Sequence, residues 1–175
     1  MSEVWFTSDT HFGHGNIITH MGRPFENVQE MDDAIVANWN AVVKRGDRVY
    51  FLGDFCLGDP APYFKRLNGQ IHFVRGNHDK AKDAVYQQYC TTFNEVNTVK
   101  WDGHRFFLSH YAHRVWPQSH RGAFHLYGHS HGMLDEHGRS CDVGTDPWGF
   151  SPVHVGTIFE KLSNRMSVDH HPVAY

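Results

Sequence analysis

Five polar clusters punctuate this chain, and nearly every one directly follows a short apolar run: Asp9-Thr10-His11, Gly53-Asp54, Gly76-Asn77-His78-Asp79, His110 and Gly128-His129-Ser130-His131. A run of four or five apolar residues that stops at a polar cluster reads as a strand buried on both faces. The pattern commits the chain to sheets whose strand ends carry loops rich in oxygen and nitrogen donors. Loops that follow buried strands are where functional sites usually sit.

Val4 to Ser8, Val49 to Leu52 and Ile71 to Val74 are the first three runs. Between the first two, Asn27 and Glu30 make an N-cap pair. Met31, Ala34, Ile35, Asn38, Val42 and Val43 then recur at helical spacing until Gly46 stops the helix. Strand, helix and strand in that order argue for parallel pairing. A second helix is expected from about Lys80 to Tyr89. Beyond it, Val96 to Trp101 and Arg105 to Leu108 are strand-like and joined by Asp102-Gly103, the favoured two-residue hairpin turn. Phe124 to Tyr127 and Ser140 to Val143 complete the strands. Thr157 and Glu160 form a capping box for a closing helix carrying Ile158, Leu162 and Met166. A chain of 175 residues, 40% of them hydrophobic, fills one good core. The expectation is a single domain over residues 1–166 and a tail over 167–175.

Histidine is the unusual count: there are 16, equal to lysine and arginine together, with no uninterrupted run of the kind a purification tag leaves. Cys56, Cys90 and Cys141 lack Cys-x-x-Cys spacing, which argues against a disulfide framework and a zinc knuckle. A reducing compartment follows. The N-terminus enters Val4-Trp5-Phe6 without a basic segment and a long apolar stretch, and no window approaches the ~18 apolar residues of a membrane span. A soluble, cytoplasmic protein without a membrane partner is therefore expected. The net charge of −3 is scattered and offers no basic surface for general nucleic-acid binding. Oligomeric state is not legible.

Taken singly, the motifs are weak. Asp-x-His also occurs at Asp102/His104, Asp135/His137 and Asp169/His171, and Gly-Asp at Asp47 and Asp59. Only Asp9/His11 and Asp54 directly follow runs that read as central strands. Carboxylates, imidazoles and an amide carbonyl are donors suited to divalent cations, and the absence of cysteine speaks against a closed structural zinc site. Asp54 has two oxygens with which to bridge two cations ~3.5–4 Å apart, the span of an in-line phosphoryl displacement. Neutral imidazoles and Asn77 suit the remaining positions.

The ordered series resembles the calcineurin-like metallophosphoesterase superfamily, whose motifs run Asp-x-His, Gly-Asp, Gly-Asn-His-Asp/Glu, His and Gly-His-x-His. The match spans Asp9 to His131. The runs Thr7 to His14, Leu108 to Tyr111 and Tyr127 to Gly132 further resemble its small, cap-less bacterial and phage members. The resemblance implies an α/β fold, a two-sheet αββα sandwich with the site on strand-end loops. It implies that Asp9, His11 and His131 hold one cation with Asp54, and that Asn77, His110 and His129 hold a second and share Asp54. A metal-bridging hydroxide is then the nucleophile, His78 the general acid for the leaving oxygen, and Asp79 the group that orients the His78 ring. Of two divalent ions, manganese is favoured, although iron, nickel, cobalt and zinc suit the same donors.

His14, His113, Arg114, Arg23 and Arg121 are the lesser candidates for substrate contact, the arginines because a guanidinium fork matches phosphate oxygens. His72 and His125 read as structural and Trp148 as a packing residue. Between Asp79 and His110 there is room for only a helix and a hairpin, so no cap covers the cleft. An open cleft favours a phosphodiester over a monoester, with a small phosphate ester or nucleotide as substrate. Two rival readings are a nuclease of the same superfamily, opposed by the charge, and a non-catalytic metal-binding scaffold, opposed by the filled ligand positions.

Overall fold

The structure, a computed structural model, describes residues 2–80 and 83–168. Its first half runs β1 (Val4–Thr7), α1 (Asn16–Met21), α2 (Val28–Val42), β2 (Arg48–Phe51), α3 (Ala61–Phe64), β3 (Gln70–Val74) and α4 (Asp83–Tyr89). The second half runs β4 (Thr92–Asn94), β5 (Val96–Trp101), β6 (His104–Ser109), β7 (Phe124–Tyr127), β8 (Ser140–Asp142), β9 (Val153–His154) and α5 (Val155–Leu162).

Strands β4, β3, β2 and β1 lie side by side and parallel, with β9 antiparallel on the far edge of β1. The β5–β6 hairpin, continued in parallel by β7 and β8, forms the second sheet. Alternation along β2 shows why the run had to be apolar throughout. Val49 and Phe51 pack with Met31, Ile35 and Trp39 of α2, whereas Tyr50 and Leu52 join Phe6, Phe106 and Phe124 in the core between the sheets. The Phe6 and Phe106 rings stack across that core at 5.9 Å. The outer face of the second sheet has a thinner cover, where Trp116, Ala123 and Val168 pack on Phe107.

Helix α2 begins as expected, with the Asn27 side chain accepting from Glu30 N at 3.0 Å. Its β-branched residues each cost no more than about 0.7 kcal/mol of helix propensity. Full burial of a side chain such as Met31, Ile35 or Trp39 returns about 1.5–3 kcal/mol, so packing decides the helix.

The closing helix differs from expectation. It starts at Val155, capped by His154 Nδ1 accepting from Gly156 N at 3.1 Å, and Met166 lies outside it and is exposed. The cause is tertiary, because β9 pairs with β1 and ends at the capping residue itself. The helix expected from Lys80 is described from Asp83 onward, and positions 81–82 lie outside the described residues.

Parallel pairing aligns the C-terminal ends of β1, β2 and β3 along one edge. The second sheet delivers β6 and β7 to the same edge: His110 Nδ1 donates to the Leu52 carbonyl at 2.7 Å, and Gly128 N donates to the His110 carbonyl at 3.0 Å. Crevices outside the carboxyl ends of parallel strands are where such sheets bind ligands.

Candidate metal centre

Left-handed backbone marks the site. Asp9, His11, Asp54, His129 and His131 have φ of 57°, 50°, 60°, 65° and 49°. Such conformations cost on the order of 1–3 kcal/mol each and persist only where surrounding contacts impose them. Here Asp9 N donates to the Gly53 carbonyl at 2.9 Å and His11 N to the Asp54 carbonyl at 3.1 Å. A Cβ at Gly76 would collide with the Asp54 carboxylate, and one at Gly128 with Ser8 and Asp9. Glycine is what lets the loops close on one another.

These turns gather Asp9, His11 and His131 into one group and Asp54, His110 and His129 into another, each with ligand atoms within 4.8 Å of one another and spaced to hold a metal ion. Asp54 stands between them, its Oδ2 3.7 Å from His11 Nε2 and 3.5 Å from His110 Nε2. Asn77 joins the second group, with Oδ1 2.9 Å from His110 Nε2.

The donor set has the signature of a cation site. Asp9 Oδ1 and His11 Nε2 are buried without hydrogen-bond partners among the described residues, yet face each other at 3.9 Å. Because His110 Nδ1 already donates to a carbonyl, a neutral His110 ring turns a lone pair toward the Asn77 and Asp54 oxygens. Acceptors converging on acceptors need a proton or a cation between them. Burial lowers His11 to about 3, leaving the neutral imidazole that metal binding requires. Burial also raises Asp9 to about 7, against the pull of His110 and His131. Burial opposes ionisation of Asp54 as well, but the His110 hydrogen bond and charge hold its carboxyl below the usual range.

Behind the donors lies a supporting layer that the sequence did not disclose. Asp146 accepts from His131 Nδ1 at 2.7 Å and from Arg23 Nε and Nη2 at 2.9 Å each. Fixing Nδ1 as the donor leaves His131 Nε2 free to ligate, the usual carboxylate–histidine–metal relay. A lone Asp in Asp146-Pro-Trp-Gly carries no spacing signal toward His131, so only the fold reveals it. Tyr111 is a second such residue, its hydroxyl 3.3 Å from Asn77 Oδ1 and its ring 4.6 Å from that of His129.

Three expectations are corrected. Asp79 does not touch the His78 ring: its buried carboxylate accepts from Asp54 N, Gly76 N, Phe55 N and the Tyr86 hydroxyl at 2.8–3.0 Å. It clips two motif loops together, because four donors already occupy its oxygens. Arg23 is buried, with its guanidinium committed to Asp146, the Asp9 and Thr10 carbonyls and the Met31 sulfur, so no N–H is left for a phosphate. Arg121 sits beside Gly103 and Arg105 at the hairpin turn, the end of the second sheet remote from His110.

His78 and His14 do reach the site. The His78 side chain is 51% exposed, its Nε2 is 3.9 Å from Asp54 Oδ2, and its backbone N–H donates to Asp54 Oδ1 at 2.9 Å. Its ring lies 5.4 Å from that of His11 and 6.3 Å from that of His14. His113 and Arg114 line a neighbouring cavity. His72 and His125 are structural, hydrogen-bonded to Thr92 and to the Phe107 carbonyl. Trp148 donates to the Asp142 carbonyl while its ring packs against the inter-sheet core.

A two-sheet α/β sandwich with paired carboxylate and imidazole clusters at converging strand ends defines a class of metal-centred phosphoesterase folds. The sequence matches the calcineurin-like phosphoesterase superfamily domain over residues 3–152, and the chain belongs to that superfamily. It is 34% identical to an uncharacterized protein of Methanocaldococcus jannaschii, covering 93% of this chain and 92% of that one. It is 28% identical to the gene 66 protein of Mycobacterium phage L5, covering 85% and 89%. The fold is similar to that of a crystallised protein of unknown function from Aquifex aeolicus, with a TM-score of 0.74, 23% identity and coverage of 93% and 100%. No helix among the described residues is long and apolar enough to cross a membrane.

Proposed function

We propose that the protein is a metal-dependent phosphohydrolase that cleaves phosphodiesters ahead of monoesters. The observation that carries this reading is the position of Asp54 Oδ2, within 3.7 Å of an imidazole nitrogen from each of the two donor groups. In this reading Asp9, His11 and His131 hold one divalent cation and Asn77, His110 and His129 the other, with Asp54 shared and manganese favoured. Bound there, the cations would supply Lewis-acid activation of water and of the phosphoryl oxygens.

The chain's own groups do the rest. His78, exposed beside Asp54, holds a proton at Nε2 for the leaving oxygen. The open surface around His78, His129 and Tyr111 leaves room for a second ester arm, because only α4 and the β4–β6 strands intervene between Asp79 and His110. That openness is the reason to place diesters first.

Purified protein loaded with Mn²⁺ is expected to bind about two ions per chain and to hydrolyse bis(p-nitrophenyl) phosphate. Two bound ions with no turnover on any phosphate ester would leave a scaffold instead. Asp146→Asn is expected to weaken Mn²⁺ binding about 10–100-fold, the usual effect of losing a carboxylate behind a ligating histidine. Unchanged affinity in a metal titration would remove His131 from the ligand set.

A further inference from the structure

Tyr127 closes β7, one residue before the Gly128-His129 turn. It is 1% exposed, and its buried hydroxyl has no hydrogen-bond partner among the described residues. A buried hydroxyl left unpaired costs about 1–3 kcal/mol, so phenylalanine would serve better if packing were the residue's whole purpose. The ring forms part of the wall of a cavity of about 310 Å³, lined also by His113, Arg114, Leu134, Asp135 and His137. That volume lies at the lower end of small-molecule sites, about 300–1,000 Å³.

The cavity adjoins the metal centre. One wall continues directly from His110 through Tyr111, whose ring lies 5.0 Å from that of His110, and the other begins three residues after His131. At ~3.3–3.6 Å per residue, His110 and His113 are at most about 10 Å apart, within reach of one ester arm. The lining is rich in donors: a phenol, a guanidinium and two imidazoles, with Leu134 as an apolar surface. Asp135 is the lone carboxylate and disfavours a second phosphate. What suits this lining is a flat ring with carbonyl acceptors and an edge N–H.

We propose that this cavity is a specificity subsite, seating a nucleobase-sized, carbonyl-bearing arm of the phosphoester to which the Tyr127 hydroxyl donates. The proposal rests on the phosphohydrolase reading for its connection to chemistry, while the binding it requires can be measured without turnover.

Two esters with the same leaving group separate the arm from the reaction: thymidine 5′-(p-nitrophenyl phosphate) and methyl p-nitrophenyl phosphate, each with the Mn²⁺-loaded chain. Tyr127→Phe is expected to lower the preference for the thymidine ester, as the ratio of kcat/KM values, about three- to tenfold, the net worth of one hydrogen bond. Calorimetric titration of metal-free protein with thymidine should show the same loss of affinity. The melting temperature should hold or rise, since the substitution removes an unpaired group. An unchanged preference, or thymidine binding that is absent or indifferent to the substitution, overturns the subsite. Thymidine binding that Tyr127→Phe weakens, in a protein that hydrolyses neither ester, upholds the cavity's ligand and overturns the hydrolase reading.

Discussion

Asp54→Asn is expected to lower hydrolysis of bis(p-nitrophenyl) phosphate by about 10³-fold or more and to reduce bound Mn²⁺ from two ions per chain to one or none. The carboxylate is 2% exposed, and Oδ2 faces His11 and His110 at 3.7 and 3.5 Å. An amide presents one neutral oxygen in place of two anionic ones, so the shared position is lost. Charge stabilisation by bound metal contributes several kcal/mol to such a transition state, and each 1.36 kcal/mol is a factor of ten in rate. Asparagine keeps the shape of the side chain and can still accept from His78 N, so the melting temperature should change little. Turnover in this variant close to that of the unaltered protein, with both ions retained, would end the proposal of a shared ligand.

His78→Gln is expected to lower kcat about 10²–10⁴-fold, the usual contribution of a positioned general acid, while both ions stay bound. The two halves of that expectation have separate origins. The His78 side chain is 51% exposed and its ring stands outside both donor groups, so metal binding does not need it. Its backbone N–H, which the substitution preserves, carries the contact to Asp54 Oδ1. The loss should be larger for an ester with a poor, alkyl leaving group than for a p-nitrophenyl ester, because a good leaving group departs without a proton. Equal losses on both esters would assign His78 to positioning of the phosphate. Loss of an ion would assign it to the metal centre.

Much of the fold was legible because buried parallel strands leave a plain trace. Val4 to Ser8, Val49 to Leu52 and Ile71 to Val74 contain β1, most of β2 and most of β3, and each polar cluster after them lies at the metal-facing edge. The Asp102-Gly103 turn joins β5 to β6, with φ of 46° and 78° at the two residues as that turn requires. Strands β4 and β9, three and two residues long, were not legible, since no periodicity can be read over so few positions. Their pairing with β3 and β1 is decided by neighbours distant in the chain.

The donor types of the centre and their order along the chain were determined by the sequence alone, because metal chemistry narrows the choice to carboxylate, imidazole and amide, and buried strands announce where they end. Which charged residues support those donors was decided only by the tertiary structure. Arg23 and Asp79 resembled reactive groups until their partners were visible, and Asp146 resembled nothing until Arg23 and His131 met on it. The physical reason is that a ligand's identity is a property of its own atoms. The role of a buried ion or hydrogen-bonding group is instead set by what faces it, here across 123 residues of chain between Arg23 and Asp146.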